Sequence, residues 1–259
     1  MSAATQARPG DGVAAPAWRR VLTQTAFETR AILRNGEQLL ITLVLPVLLL
    51  LVLTRTTVIE LDTGGGTRVD LVAPGVLALA VMSTAFTSQA IATSFDRRNG
   101  VLRLLATTPL GRGGLLAGKV LGVLVVEVVQ VVVLGAVALG LGWDPAVAGI
   151  GPAALAVLLG TAAFTSLALL LAGTLRAEAV LALANLVLVL LAVAGGIVAP
   201  ADQLPGPLSV VAGALPSGAL GEAVRSALRD GVLATGPVLV LAAWTAALSG
   251  LAARLFRWS

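Results

Sequence analysis

Six stretches of this chain are both apolar enough and long enough to cross a bilayer, and that pattern limits the fold more than any motif does. A spanning helix needs roughly 20 mainly apolar residues. Such runs lie at approximately Glu37 to Leu53, Leu71 to Ser94, Leu115 to Leu141, Gly151 to Leu175, Ala179 to Ala199 and Leu233 to Ala253. The 259 residues are 58% hydrophobic and only 12% charged, against roughly 25% charged in an ordinary soluble domain. Buried helices of soluble proteins rarely run this far without charge. The expectation is an all-α membrane protein with six transmembrane helices over residues 37–259.

Orientation follows from the basic residues, because short cytoplasmic segments carry the excess of Lys and Arg. With the amino terminus inside, the cytoplasmic segments hold Arg8, Arg19, Arg20, Arg30, Arg34, Arg97, Arg98, Arg103, Arg112, Lys119, Arg176, Arg254 and Arg257. Only Arg55, Arg68, Arg225 and Arg229 fall outside. Both termini are therefore expected in the cytoplasm. The net charge of +4 reads as a topology signal, and no nucleic-acid partner is expected, since that would want a soluble basic face. Residues 1–17, MSAATQARPGDGVAAPA, lack the apolar region of a secretory signal and read as a short disordered cytoplasmic tail. A composition high in Ala, Gly, Val and Arg with a single Lys suits a GC-rich bacterial genome, and so a bacterial plasma membrane.

Residues 18–36 have a different periodicity. At about 100° per residue, Val21, Leu22, Thr25, Ala26, Thr29, Ile32 and Leu33 share an arc with Trp18, while Arg19, Arg20, Arg30 and Arg34 lie opposite, with Phe27 among them. That is the pattern of an amphipathic helix lying in the interface, its Arg side chains toward anionic headgroups.

Several chemistries are closed to this chain. It has no Cys and no His, which removes disulfides, imidazole or thiolate metal sites, and the Ser-His-Asp and Cys-His forms of nucleophilic catalysis. One stretch, GGLLAGKV at residues 113–120, comes within one residue of the phosphate loop G-x-x-x-x-G-K-[ST]. A working loop needs Ser or Thr after the Lys, a preceding strand, and a helix amino terminus facing the phosphates. Here Val120 follows Lys119, an Arg-rich turn precedes Gly113, and the downstream helix is a span. Gly113, Gly114 and Gly118 are expected to form a flexible turn into the third span, with Lys119 snorkelling at the cytoplasmic lipid boundary.

Upstream of that stretch, Val101 to Ala106 reads as a short helix with Val101, Leu104 and Leu105 on one side, ended by Pro109. A short apolar-and-basic helix on the cytoplasmic side suits a groove in a soluble partner. The run Arg98, Gly100, Leu102, Leu105, Thr108, Pro109, Leu110, Gly118, Lys119 resembles the signature between the second and third spans of the ABC-2 type transporter permeases. The likeness is greatest to the branch of daunorubicin-type drug and lipid-linked exporters. Leu45-Pro46 in the first span, and Leu204-Pro205, Leu215-Pro216, Ala223, Val224 and Arg225 in the outer loop, resemble that family too.

That resemblance implies a coupling segment at 96–114 that docks on a separate ABC nucleotide-binding subunit, through Arg97, Arg98, Gly100, Val101, Leu102, Arg103, Leu104, Leu105 and Pro109. It implies ATP and Mg²⁺ on that partner with no cofactor on this chain, and a second permease copy, as a homodimer or a heterodimer. Many family members carry an acid where this chain has Arg103, so a contact made by that acid does not transfer.

Polar residues inside the bilayer are costly and mark candidate sites. Glu127 lies near the middle of the third span, with Gln130 one turn away on the same face. The second span carries a stripe of Ser83, Thr84, Thr87, Ser88 and Gln89, with Ser94 at its inner end, and the fifth span carries Asn185. These line either a transport path or helix interfaces. In the outer loop, residues 200–232, Leu220, Val224, Ala227 and Leu228 form one face and Glu222, Arg225 and Arg229 the other. After Pro216 this is a short interfacial or re-entrant helix, and the resemblance makes Pro205, Pro216, Val224 and Arg225 part of an outer gate. Gly195 and Gly196, with Pro200 beyond, are expected to loosen the end of the fifth span.

The leading expectation is thus a non-catalytic permease subunit of an exporter for a hydrophobic drug, lipid or lipid-linked substrate. A proton-coupled carrier using Glu127, a membrane-embedded enzyme and a structural or regulatory anchor are the alternatives. Glu127 without convergent polar partners argues against an enzyme, and the absence of an evident internal repeat gives a secondary carrier no support from symmetry.

Overall fold

The computed structural model describes residues 15–56, 62–63 and 65–256. The expected tail lies outside the described residues as far as position 14, and Arg8 and Arg257 with it. Among the described residues every regular element is helical. An amphipathic helix α1 (Ala17–Leu33) leads into a broken first span of α2 (Gly36–Leu39), a π-helical turn at Leu40–Val44, and α3 (Leu45–Arg55). The second span joins α4 (Arg68–Met82) and α5 (Gln89–Arg98) through a second π-helical turn, Ser83–Ser88. A short α6 (Val101–Ala106) precedes the third span α7 (Gly111–Gly140), followed by α8 (Ile150–Thr174) and α9 (Ala177–Ala194). Two helices bent 83° apart, α10 (Pro207–Ala214) and α11 (Pro216–Asp230), precede the last span α12 (Thr235–Leu255).

Five of these segments are long and apolar enough to cross a membrane alone, among the described residues: Arg68–Arg98, Gly111–Gly140, Val147–Thr174, Ala177–Ala194 and Thr235–Leu255. The first span is shorter, its apolar helix covering Leu40–Arg55. The arrangement has a basic end, carrying α1, α6, Arg97, Arg98 and Arg112, and a far end, carrying α10, α11 and the turn before α4.

The packing follows from side-chain size. The second span sits at the centre, with Val72, Val76, Met82, Ala85 and Phe86 all buried. In contrast α9 exposes Leu181, Leu186, Val189, Leu190 and Val193, and α12 exposes Leu239 and Leu251, surfaces that suit lipid as well as they would suit protein. Hydroxyl groups add interhelical ties: Ser166 and Ser249 are 2.9 Å apart between α8 and α12, and Thr245 donates to the Leu159 carbonyl at 3.0 Å.

The far end is where the chain departs from simple spans. Helix α9 stops at Gly195 and Gly196, the latter with φ +69°, a conformation that favours glycine. The re-entrant α11 then returns into the bundle, with Pro216, Leu220, Ala223, Val224, Ala227 and Leu228 buried. Glycine makes this entry possible. A Cβ on Gly221 would stand 2.9 Å from the Ile197 Cα, and one on Gly149 would collide with the Ala227 carbonyl. Gly149→Ala should therefore displace α11, costing about 1–3 kcal/mol through overpacking, and lower the midpoint of thermal unfolding in detergent. An unchanged midpoint would show that α11 is seated elsewhere.

Candidate functional site

At the basic end, α1 lies against the first turns of α7. Gly114, Gly118 and Gly122 are spaced four apart and so share one face of that helix. A Cβ on Gly118 would reach within 2.5 Å of Gln24 Cγ, and one on Gly122 within 2.8 Å of Glu28 Cβ. This close approach brings Glu28 Oε1 to 2.8 Å from Lys119 Nζ, while Gln24 Nε2 donates to the same oxygen at 2.7 Å. Asp96 Oδ2, from the end of α5, stands 3.7 Å from the ammonium on another side. Lys119 is 0% exposed. The Glu28 contact is an ion pair rather than a directed hydrogen bond, and burial of so compact a charge is tolerable only when it is paired.

Two expectations change here. Helix α7 starts at Gly111, so Gly113, Gly114, Gly118 and Lys119 are helical and form no turn, and Lys119 does not snorkel. It faces inward because the glycine stripe admits a carboxylate close enough to hold it. The protein-facing side of α1 is mainly polar, with Gln24 and Glu28 buried beside Ile32, while Trp18, Leu22, Phe27 and Leu33 are exposed. A helix at a lipid interface turns apolar side chains toward acyl chains, which leaves its polar side for the protein.

Helix α6 begins after Gly100 at φ +80°. Leu102 inserts among Leu115, Leu169, Ala252 and Phe256 from three other segments, whereas Leu104 is 76% exposed. Val101 and Leu105 are half-buried and Arg103 is exposed. The expected shared face of Val101, Leu104 and Leu105 is therefore divided: Leu104 points outward from the helix that Leu102 anchors. Arg20 Nη1 donates to the Pro109 carbonyl, tying α1 to the segment after α6, and a cavity of about 420 Å³ lies between them. Arg97 Nη1 donates to Ala172 O at 2.8 Å, and Arg112 Nη1 to Ala253 O at 2.9 Å. Both cations thus cap the last turns of spans, where unpaired carbonyls and the helix dipole favour positive charge. Arg98 pairs with Glu178 at 3.1 Å, but both side chains are largely exposed, and such pairs add little stability.

In the middle of the bundle the two polar residues of α7 face different neighbours. Pro46 has no N–H to return to the carbonyl four residues earlier, that of Thr42. Gln130 Nε2 donates to this carbonyl at 2.7 Å and to Thr84 Oγ1 at 2.9 Å. One amide thereby joins the π-helical turns of the first and second spans. Glu127, 1% exposed, faces α8, where Thr161 Oγ1 donates to its Oε2 at 2.6 Å. Its Oε1 is buried without a hydrogen-bond partner among the described residues. Helical spacing places the pair one turn apart; it does not make them share a partner.

Of the second-span stripe, Thr84, Thr87 and Gln89 are buried and Ser83 and Ser88 half-buried. Ser94 donates to the Ile91 carbonyl. Asn185 is separate from all of them: it is exposed on α9 and donates to its own helix at Leu181 O.

Glu127 borders a cavity of about 460 Å³ walled by α4, α7, α8 and α11, with Val224 among its lining residues. Val224 thus meets the same space as Glu127. Arg225, placed with Glu222 and Arg229 on a polar face by the sequence pattern, is 4% exposed and turns into the break in α9. Its Nη2 donates to Gly196 O at 3.0 Å and its Nη1 to Ile197 O at 3.1 Å. The guanidinium fork supplies donors to carbonyls that the end of α9 leaves free. Pro216 starts α11 and is buried, whereas Pro205 is exposed ahead of α10.

Two ties can be probed by substitution. Lys119→Met should lower stability by about 3–5 kcal/mol, the cost of leaving one partner of a buried pair uncompensated. The double change Lys119→Met with Glu28→Gln should recover most of that loss. Gln130→Leu should cost about 1–3 kcal/mol through the orphaned Thr42 carbonyl. Thermal unfolding of the purified protein in one detergent reads both, and additive losses in the Lys119 and Glu28 pair would contradict their coupling.

Compared with known protein families, the chain matches the model described as ABC-2 type transporter over residues 19–228. No curated protein matches it.

Proposed function

Because the chain belongs to the ABC-2 type transporter family, in which it is a membrane permease component, we propose that it serves an exporter powered by ATP hydrolysed on a separate nucleotide-binding subunit. The observation that carries this is Leu104. It is a large apolar side chain, 76% exposed, on a short helix fixed from below by Leu102 and flanked by the basic groups Arg98 and Arg103. An exposed leucine on a rigid mount suits a hydrophobic groove on a partner, and the site lies at the basic end, which the positive-inside pattern assigns to the cytoplasm. Both termini then lie in the cytoplasm of a bacterial plasma membrane, and a second permease copy completes the assembly. The substrate is a hydrophobic molecule taken from the cytoplasm or the inner leaflet, because a cavity of about 460 Å³ between the spans is walled mainly by aliphatic side chains.

Residues 113–120 take no nucleotide in this account. Lys119 is committed to Glu28, its neighbours are helical, and ATP with its Mg²⁺ resides on the partner. Movement of that partner between nucleotide states acts on α6, and can shift the permease only as far as the two conformations bind the partner differently.

The test is co-purification with the nucleotide-binding protein encoded beside this chain. Leu104→Asp should abolish co-purification and lower transport-coupled ATP hydrolysis at least about tenfold, the effect of placing about 1.4 kcal/mol or more against docking, while leaving thermal unfolding unchanged because the side chain is solvent-facing. Leu102→Asp should instead unfold the basic end. Export of a substrate by vesicles that lack any ATPase would end the proposal.

A further inference from the structure

The cavity beside Glu127 combines two features that together select a ligand. Its walls are apolar, formed by residues such as Leu77, Val81, Val131, Val157, Val224 and Trp143. Among the described residues, Glu127 is its single ionisable lining group. That carboxylate is held by one donor only, Thr161 Oγ1 on Oε2, and its Oε1 is buried without a hydrogen-bond partner among the described residues. A carboxylate has about four acceptor positions, so one hydroxyl leaves most of them unmet. Buried polar groups left unpaired are costly, and an acid kept in such a place marks a function.

Access is from the side of the bundle. Val128 and Val132 on α7 and Ile150 on α8 line the same cavity and are exposed, so a molecule dissolved in the acyl region reaches Glu127 without crossing the interior. Resting on the permease reading above and deepening it, we propose that this cavity binds hydrophobic cations: amphiphiles whose ammonium group donates to Glu127 Oε1 while their apolar body lies along the aliphatic walls and Trp143. The site discriminates by what it leaves unsatisfied. A neutral amphiphile of the same shape offers Oε1 at most an uncharged hydrogen bond, roughly half as strong as a charge-assisted one, and an anionic one meets repulsion.

Binding is read on the full permease chain alone, in nanodiscs of zwitterionic phospholipid, by fluorescence of Trp143. Trp18 and Trp258 are replaced by Phe, and Trp244, which donates to the Ala214 carbonyl, is kept as a constant background. The probes are 12-bromododecylammonium and 12-bromododecanol, whose bromine quenches tryptophan on contact. The expected result is saturable quenching by the ammonium, weakened about tenfold or more by Glu127→Gln, the loss of one charge-assisted hydrogen bond. Glu127→Gln keeps an acceptor for Thr161 and so preserves the fold. Ala154→Phe, which fills the cavity from its exposed rim, should weaken the ammonium to a similar extent. The alcohol should bind about tenfold or more weakly than the ammonium, and Glu127→Gln, which keeps an acceptor, should change it little.

Equal behaviour of the two probes, or an ammonium affinity unchanged in Glu127→Gln, would overturn the proposal. So would disulfide-linked dimers through Val128→Cys, which would place a second copy over the mouth. Because no ATPase is present in this measurement, its failure leaves the permease reading standing, and failure of co-purification leaves this binding result intact.

Discussion

Within hydrocarbon there is no water to complete a hydrogen bond, so every interruption of a spanning helix has to be answered by another part of the protein. This chain interrupts its spans repeatedly, and the answers determine how the spans are joined. Pro46 frees the Thr42 carbonyl, and Gln130 from the third span takes it. Gly195 and Gly196 end the fifth span early, and Arg225 from the re-entrant helix donates to the freed carbonyls of Gly196 and Ile197. The last turns of α8 and α12 are met by Arg97 and Arg112. Helices with few shape-specific contacts to lipid are thereby fixed to particular neighbours by directed hydrogen bonds from polar side chains.

The same constraint explains what the amino-acid order reveals and what it conceals. Spans of about 20 apolar residues are legible because the requirement acts on each segment separately, and α6 appears over Val101–Ala106 in both sequence and structure because Gly100 and Pro109 bracket it locally. The inward face of α1 was not legible from apolar periodicity. In water the apolar side faces protein, whereas at a bilayer surface lipid competes for it, so the buried stripe is Gln24, Glu28 and Ile32. The pairing of Gln130 with Thr42 could have been found from Pro46, which identifies the orphaned carbonyl by counting back four residues. Burial of Arg225 was hidden, since its acceptors lie 28 and 29 residues away and exist only once α9 has broken.

The stretch at 113–120 shows how one spacing serves two purposes. In a phosphate loop, glycines let backbone N–H groups approach a phosphate and the lysine neutralises it. Here glycines let a helix approach, and the lysine neutralises a carboxylate. The anion is Glu28, covalently part of the same chain. The signal that separates the two cases is the extension of the glycine pattern to Gly122, one further helical turn, which a loop has no reason to carry and a helix face does.

If a partner moves α6, the movement has a defined route into the bundle. Leu102 is packed against Leu169 of α8, and Thr161 lies eight residues earlier on that helix, about 12 Å along its axis at 1.5 Å per residue. Thr161 is the donor that holds Glu127. Tightly packed cores shift between discrete arrangements rather than deforming smoothly, so displacement of Leu102 translates or rotates α8 as a unit and changes how firmly Thr161 holds the acid. On the proposed reading, this ties the state of the nucleotide-binding partner to the number of acceptor positions that Glu127 offers a ligand. The route runs through one rigid helix, and the glycine-seated pair of Glu28 and Lys119 ties the start of α7 to α1, which lies outside that route.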